Sequence, residues 1–335
     1  MPALRTEITE IVTGLGMLGA IDAEAALRSR PPELCNVPEA VWCRVRDSVR
    51  DGTYRQEFAA AFGNGAVFLT ARDALRGRRP IAIEWRGPGR APGDNAVPAD
   101  LHVDHVYLVS CKYTSQILRN ASPSSLFERG LAGAQGEQSG DWYELVAADA
   151  YQSLYEEARA DLGPGAGLPP RARDLTPAHR LLLKRALADK SVGRGGPAYR
   201  ELADRVAGAS ADRWRESLAT KADRERMLWR LLRMTAAPYF VLGTADGRSL
   251  RVRVETPWEW RLRHDLRRFD VWAGEAGQPV VHWKAVVRDR TGGGDVDVDG
   301  HVEVRWSHGR FAQPPEAKVY LDTPHHRVPG YVPIS

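Results

Sequence analysis

The chain has 335 residues, of which 43% are hydrophobic and 27% charged, and its formal net charge is +4. This composition excludes a mainly disordered chain, and the lack of any run of about 18 apolar residues excludes a protein that spans a membrane. The three cysteines are too few for a disulfide framework, and residues 1–10 have no apolar signal-peptide core, so we expect a cytoplasmic protein without a membrane partner.

The first third of the chain alternates between helix and strand signals. Residues 1–50 predict one or two short helices with a break at residues 28–32. A helix is predicted over 54–62, where Gly63-Asn64-Gly65 predicts its end, and a second over 66–76. A strand at 81–85, a Gly/Pro loop and a hairpin of residues 100–103 and 106–112 follow.

The rest of the chain changes from helical to strand periodicity. Residues 113–160 and 176–235 predict helices, and the Gly/Pro-rich residues 161–170 predict a linker between them. Alternation with a period of two predicts strands at 239–244, 249–255, 280–288, 301–306 and 318–321, and residues 292–299 predict a polar hairpin tip. We therefore expect an α+β protein with one domain over 1–160 and a second, helical then mostly antiparallel β, over 171–335.

The predicted hairpin gathers chemically useful residues on one face. In an antiparallel pair, directly opposed residues share a face. A loop with an odd number of residues places Leu101, Val103, Tyr107, Val109 and Cys111 on one apolar face. The opposite face then collects Asp100, His102, Ser110 and Lys112. A two-residue turn would mix both faces, so burial of the apolar set favours the odd loop and brings Asp100 near Lys112.

Lys112 stands out because the chain uses lysine rarely. Six of the 47 basic residues are lysines and 41 are arginines. A GC-rich genome explains an arginine surplus, although arginine is also the planar binder of phosphate. A lysine beside a carboxylate suits phosphodiester hydrolysis, in which a metal held by oxygen ligands activates water and an ammonium orients it or stabilises charge.

Pro98-Ala99-Asp100 and Ser110-Cys111-Lys112, after a helix and a strand, resemble the core of the PD-(D/E)xK nucleases, the restriction-endonuclease-like fold. The resemblance covers residues 53–131 and implies a core of helix, strand, β-hairpin and helix. It also implies a Mg²⁺ (or Mn²⁺) ion held by Asp100, with Lys112 as a catalytic residue.

One position departs from the family pattern, because Ser110 stands where an acidic residue is usual. Some restriction endonucleases with Ser-x-Lys take the missing carboxylate from the following helix. Glu128, after the Ser122-Pro123 helix start, would then be the second metal ligand. Glu57 on the leading helix and Glu84 on the first strand are the other candidates.

Several features keep other interpretations open. Cys111 near His102 or His105 suggests a thiol nucleophile, but the apolar face predicts a buried structural cysteine. Tryptophans interleaved with Arg251, Arg253, Arg261 and Arg263 suit nucleic-acid binding, but the alternation Arg251-Val252-Arg253-Val254 favours a half-buried strand of a β core whose arginines point outward. The motif also fits an ordinary α/β hairpin with a surface lysine.

The resemblance predicts a nuclease that cleaves DNA in restriction, defence or repair, and RNA stays open as a substrate. Because cleavage of both strands of a duplex takes two cuts, a homodimer with two sites would suit this function. A non-catalytic nucleic-acid-binding protein with a degenerate nuclease fold, or a structural protein of unknown partner, would have the same composition.

Overall fold

The computed structural model describes residues 4–87, 99–113, 117–131, 140–188, 196–245, 247–274 and 277–335. The chain divides into two compact units. Unit 1 comprises Met1–Gln116, Met234–Arg263 and Pro324–Ser335, and unit 2 comprises Ile117–Arg233 and His264–Thr323. These divisions fall at other places than the predicted boundary around residues 161–170.

Both helices and strands are present, as the α+β prediction requires. In chain order the described helices are α1 Leu4–Gly16, α2 Ala23–Ser29, α3 Glu39–Asp51, α4 Arg55–Thr70, α5 Pro123–Phe127, α6 Trp142–Leu162, α7 Pro177–Ala186, α8 Pro197–Ser217, α9 Lys221–Leu231 and α10 Pro257–Arg263. The described strands are β1 Leu34–Cys35, β2 Ile83–Trp85, β3 Leu101–Val103, β4 Tyr107–Tyr113, β5 Ile117–Ala121, β6 Tyr239–Ala245, β7 Arg248–Val254, β8 His264–Ala273, β9 Val280–Asp289, β10 Asp295–Arg305, β11 Glu316–Leu321 and β12 Tyr331–Pro333. Among the described residues, no helix is both long enough and apolar enough to cross a bilayer.

Unit 1 contains a mixed sheet. Its described strands lie in the order β1-β2-β3-β4-β6-β7-β12. β2, β3 and β4 run antiparallel to one another, whereas β4 pairs with β6 in parallel. Strand pairing therefore joins the hairpin to a strand that comes more than a hundred residues later in the chain.

Helices α1 and α4 cover one face of this sheet. Ile8, Ile11, Val12 and Leu15 recur at helical spacing on α1, and all four are fully buried in the core of unit 1. The sheet contributes its apolar side chains to the same core. Burial of this stripe is what holds α1 against the sheet.

The predicted helix end at Gly63-Asn64-Gly65 was wrong, because α4 continues to Thr70. The glycine serves a close helix crossing instead of a turn. A Cβ atom on Gly65 would lie 2.1 Å from the Thr13 carbonyl oxygen of α1, so only glycine allows the two helices to approach this closely. The backbone stays helical at Gly65, and the glycine that suggested a helix end instead allows the close contact between α4 and α1.

Unit 2 contains an antiparallel sheet in which the described strands have the order β5-β11-β10-β9-β8. On β9, the residues Val281, Trp283, Ala285 and Val287 are buried and alternate with more exposed ones, as in a sheet with one covered face. The buried ring of Phe269 on β8 stacks on that of Trp283 and also contacts Trp214 of α8. Large aromatic side chains thus build the core of this unit.

Four local features of unit 2 differ from what the sequence pattern predicted. Residues 117–121 form β5 instead of part of a helix, because their pairing with β11 overrides the helical signal. Residues 295–299 belong to β10 instead of a hairpin tip, and β8 was not predicted at all. The supposed linker at 161–170 packs on α6, where the Tyr155 hydroxyl donates to the Pro169 carbonyl over 2.7 Å.

Candidate functional site

The β3–β4 hairpin has the predicted register. Leu101 faces Val109, His102 faces Leu108 and Val103 faces Tyr107, so a loop of three residues joins the strands. The odd loop predicted from burial is confirmed. It gives the hairpin one face that contacts the core of unit 1 and one opposite face, called here the outer face.

The core side of the hairpin is apolar, as predicted. Leu101, Val103 and Val109 are fully buried, and Cys111 belongs to the same core. Burial raises the pKa of the Cys111 thiol well above its usual value, and the negative charge of Asp100 raises it further. A thiol that stays protonated is a poor nucleophile, so Cys111 is a structural cysteine.

On the outer face, Asp100 and Ser110 are held together. The Asp100 Oδ2 atom accepts a hydrogen bond of 2.7 Å from the Cys111 backbone N–H and one of 3.2 Å from the Ser110 hydroxyl. The Asp100 N–H donates to the Val109 carbonyl over 2.8 Å, which extends the strand pairing by one residue. Ser110 is fully buried, so its hydroxyl orients the carboxylate.

Lys112 lies on the same face, two residues beyond Ser110 on β4. It pairs in register with Gly243 of β6, where a Cβ atom would lie only 1.7 Å from the Lys112 carbonyl oxygen. Opposed diagonal positions in a sheet are about 7–8 Å apart, which puts the Lys112 and Asp100 side chains within mutual reach. Among the residues that the structure describes, Lys112 makes no ion pair.

The adjacent strand β2 adds Glu84 to this face, next to His102 of β3 and His105 of the hairpin turn. Glu84 is directly opposed to His102 in the β2–β3 register. The nearest Glu84 oxygens lie 3.6 Å from His102 Nδ1 and 3.3 Å from His105 Nδ1. One ligand atom from each of the three residues lies within 4.8 Å of the others, so the cluster could hold a metal ion.

Glu84 was predicted from the sequence as a candidate site residue, but its proximity to the two histidines was not. His102 was placed on the correct face by the hairpin register alone. The pairing of β2 with β3 was not predicted, because the Gly/Pro-rich sequence between these strands carries no signal that sets their register.

The other two predicted acidic residues are paired with arginines. Glu57 is on α4, which packs against the core face of the sheet, and its carboxylate is 2.9 Å from the Arg5 guanidinium. Glu128 follows α5 in unit 2, where it pairs with Arg213 of α8. Pro98, the first residue of the predicted motif, lies outside the described residues.

Three of the four predicted nucleic-acid-binding arginines have partners within unit 1. Arg251 donates over 2.8 Å to the buried Asn64. Arg253 pairs with a glutamate that follows it in the chain, and Arg263 pairs with one that precedes it. Arg261 on α10 is not free either. The prediction that Arg251 points outward was wrong, since it bonds to α4 on the covered face of the sheet. Arg253 is half-buried and hydrogen-bonded to Glu259.

Comparison with protein families, curated proteins and solved structures returned no match to this chain. The function is therefore inferred from the geometry of the outer face.

Proposed function

We propose that the protein is a metal-dependent nuclease that hydrolyses DNA phosphodiester bonds at the outer face of the β3–β4 hairpin. The observation that carries the proposal is the register, which sets Asp100, Ser110 and Lys112 on one face and an apolar surface on the other. The chain order of α4, β2 and the hairpin also follows the order of the predicted nuclease core.

The donor set of this face fits the Mg²⁺ ion that the resemblance implies. Mg²⁺ is commonly bound through one or two carboxylates and keeps several waters. Asp100 supplies one carboxylate, whose Oδ2 atom accepts hydrogen bonds from Ser110 and Cys111. The N–H of Arg86 donates to the Asp100 carbonyl over 3.0 Å, so Glu84 occupies the diagonal position on β2. Asp100 and Glu84 are therefore the carboxylates proposed to hold the ion.

When bound, the ion would lower the pKa of a water and offset negative charge on the phosphate. The role of Asp100 is to present a carboxylate whose direction is fixed by two hydrogen bonds. Lys112 contributes a compact ammonium group, which has no carboxylate partner among the described residues and so remains able to bind a phosphate oxygen or orient a water. Ser110 acts on Asp100 and not on the substrate.

A second candidate function is nucleic-acid binding without cleavage. It is favoured by Ser110 at the position of the usual acid and by the pairing of Glu128 with Arg213 in unit 2. If Glu84 does not serve as the second ligand, the outer face would bind phosphate through Lys112 and have no hydrolytic activity.

The test is cleavage of labelled double-stranded, single-stranded and RNA oligonucleotides with Mg²⁺ or Mn²⁺. We expect wild type to cleave DNA, and Asp100→Asn and Lys112→Met each to lose about 100-fold or more of the rate, since each removes a charge that acts in the transition state. Asn keeps an acceptor for the Cys111 N–H, so that variant retains the local fold.

Lys284→Met is the matched control, because this lysine is on a strand of unit 2 and pairs with Asp297. It should keep the wild-type rate. Equal rates in all four proteins would refute the assigned site, and metal-independent binding without cleavage, measured by fluorescence anisotropy, would support the second candidate.

A further inference from the structure

The cluster of Glu84, His102 and His105 has spacings that ordinary hydrogen bonding does not explain. The two Nδ1-to-oxygen separations, 3.3 Å and 3.6 Å, exceed the usual N–H···O distance of about 2.7–3.2 Å. Ligand atoms bound at about 2.0–2.2 Å around one tetrahedral ion are about 3.3–3.6 Å apart. The His105 separation is to Oε1 and the His102 separation to Oε2, so the carboxylate faces both imidazoles, and one ligand atom from each residue lies within 4.8 Å of the others, close enough for all three to reach one ion.

The hairpin turn that carries His105 is fixed to β2. The Asp104 carboxylate accepts hydrogen bonds from the N–H groups of Ile81 (2.6 Å) and Ala82 (3.1 Å), and it lies 2.6 Å from the Arg78 guanidinium. The Asp104 N–H donates to the Ala82 carbonyl over 2.9 Å. These contacts hold the backbone next to His105 against the segment that leads into Glu84, so the ligands are preorganised.

We propose that Glu84, His102 and His105 form a binding site for a divalent transition-metal ion of borderline softness, with Zn²⁺ as the best match. Two imidazoles and one carboxylate are a common ligand set for such ions and a poor one for Mg²⁺, which prefers oxygen. Three protein ligands leave a fourth position for water or an anionic group.

The competing group is Arg86, whose guanidinium nitrogen lies 3.8 Å from Glu84 Oε2. This separation is beyond hydrogen-bond distance, so the ion pair leaves the carboxylate oxygens accessible to a metal. The site does not depend on the proposed nuclease activity, because neither histidine has a role there. Glu84 is the residue that the two proposals share.

The experiment is a titration of the full-length chain with Zn²⁺ alone, followed by calorimetry and by competition with a chromophoric chelator. Wild type should bind one equivalent. His105→Asn and Glu84→Gln should each weaken binding by at least about tenfold, since each removes a direct ligand. The His105 side chain is 71% exposed, so its replacement leaves the core untouched.

Two controls separate this proposal from the nuclease proposal. His308→Asn replaces another exposed histidine near a carboxylate, 3.9 Å from Glu316 in unit 2, and should bind Zn²⁺ like wild type. Asp100→Asn should also keep the Zn²⁺ affinity while it loses DNA cleavage. Absence of saturable binding in wild type, or unchanged affinity in His105→Asn, would overturn the metal site, and neither result bears on cleavage.

Discussion

The two sheets of this protein use charged residues differently. On the solvent-facing side of the unit 2 sheet, cations have carboxylate neighbours on the same or the adjacent strand: Lys284 lies 2.6 Å from Asp297, Arg268 2.7 Å from Asp270 and Arg305 3.0 Å from Glu303. On the outer face of unit 1, Lys112 has no such neighbour among the described residues. Paired charges keep a sheet face soluble at little energetic gain, whereas a cation without a carboxylate partner is the kind that a ligand can engage.

The largest expected effect comes from breaking the strand pairing that positions Lys112. Gly243→Ala would place a Cβ atom 1.7 Å from the Lys112 carbonyl oxygen, which is backbone and must move. We expect the free energy of unfolding to fall by about 3 kcal/mol or more, as measured by chemical denaturation.

Gly294→Ala in unit 2 is the matched control, because nothing lies within 4 Å of its added Cβ atom. That variant should stay within about 0.5 kcal/mol of wild type. Similar losses of stability in both glycine variants would show that the close approach of β4 and β6 is not the cause of the loss in Gly243→Ala.

A smaller effect is expected at Asp100, whose carboxylate satisfies the Cys111 N–H. Asp100→Ala leaves that donor without its acceptor and should lower the free energy of unfolding by about 1–3 kcal/mol. Asp100→Asn should recover most of the loss. An alanine variant as stable as wild type would show that the hydrogen bond is replaced by water and that the carboxylate is not structurally held.

Replacement of Lys318 or Lys112 should change the free energy of unfolding by a smaller amount. Lys318 is only 12% exposed and lies 3.3 Å from Glu316, so Lys318→Met should reduce the free energy of unfolding by about 1 kcal/mol. Lys112→Met should change it by less than about 0.5 kcal/mol, because no ion pair is lost. Parallel thermal melts measure the difference, and a larger loss for Lys112 would assign it a structural role in place of a chemical one.

The smallest effect is a pH dependence in unit 2. Lys221, which lies 2.7 Å from Asp265, lowers the pKa of this carboxyl from its ordinary value of 3.8 against the effect of burial, and Arg267 and Arg290 lower it further. Because the folded pKa is the lower one, this stabilisation is fully present above pH 3.8 and is lost as the pH falls through the folded value.

Asp265→Asn should therefore lower the melting temperature slightly at pH 7, by the equivalent of about 1 kcal/mol or less. The difference from wild type should shrink as the pH falls below 3.8 and through the lowered pKa of the folded carboxyl. A difference that is constant from pH 7 to pH 3 would exclude the ion pairs as its cause.

The hairpin was predictable because burial alone selects its register. Only an odd loop sends Val109 and Cys111 to the core together with Leu101, and the structure has that loop. The same argument correctly predicted a buried thiol at Cys111. Local alternation and face arguments are reliable when one face of a strand is fully covered.

The rest required contacts between distant parts of the chain. The position of Glu128 in unit 2 and the pairing of Glu84 with His102 depend on which elements pack together, and no local pattern encodes that choice. Arg251 was expected in solvent because it alternates with buried valines. A buried Asn64 on α4 provides an acceptor that the period-two pattern cannot reveal.

The parallel pairing of β4 with β6 also has a consequence during synthesis. β4 ends at Tyr113 and β6 begins at Tyr239, and most of unit 2 is translated between them. Until the ribosome has released residue 245, the strand that carries Ser110 and Lys112 has an open hydrogen-bonding edge. The edge of β4 at the candidate site therefore stays unpaired with β6 for the time that more than a hundred residues take to emerge.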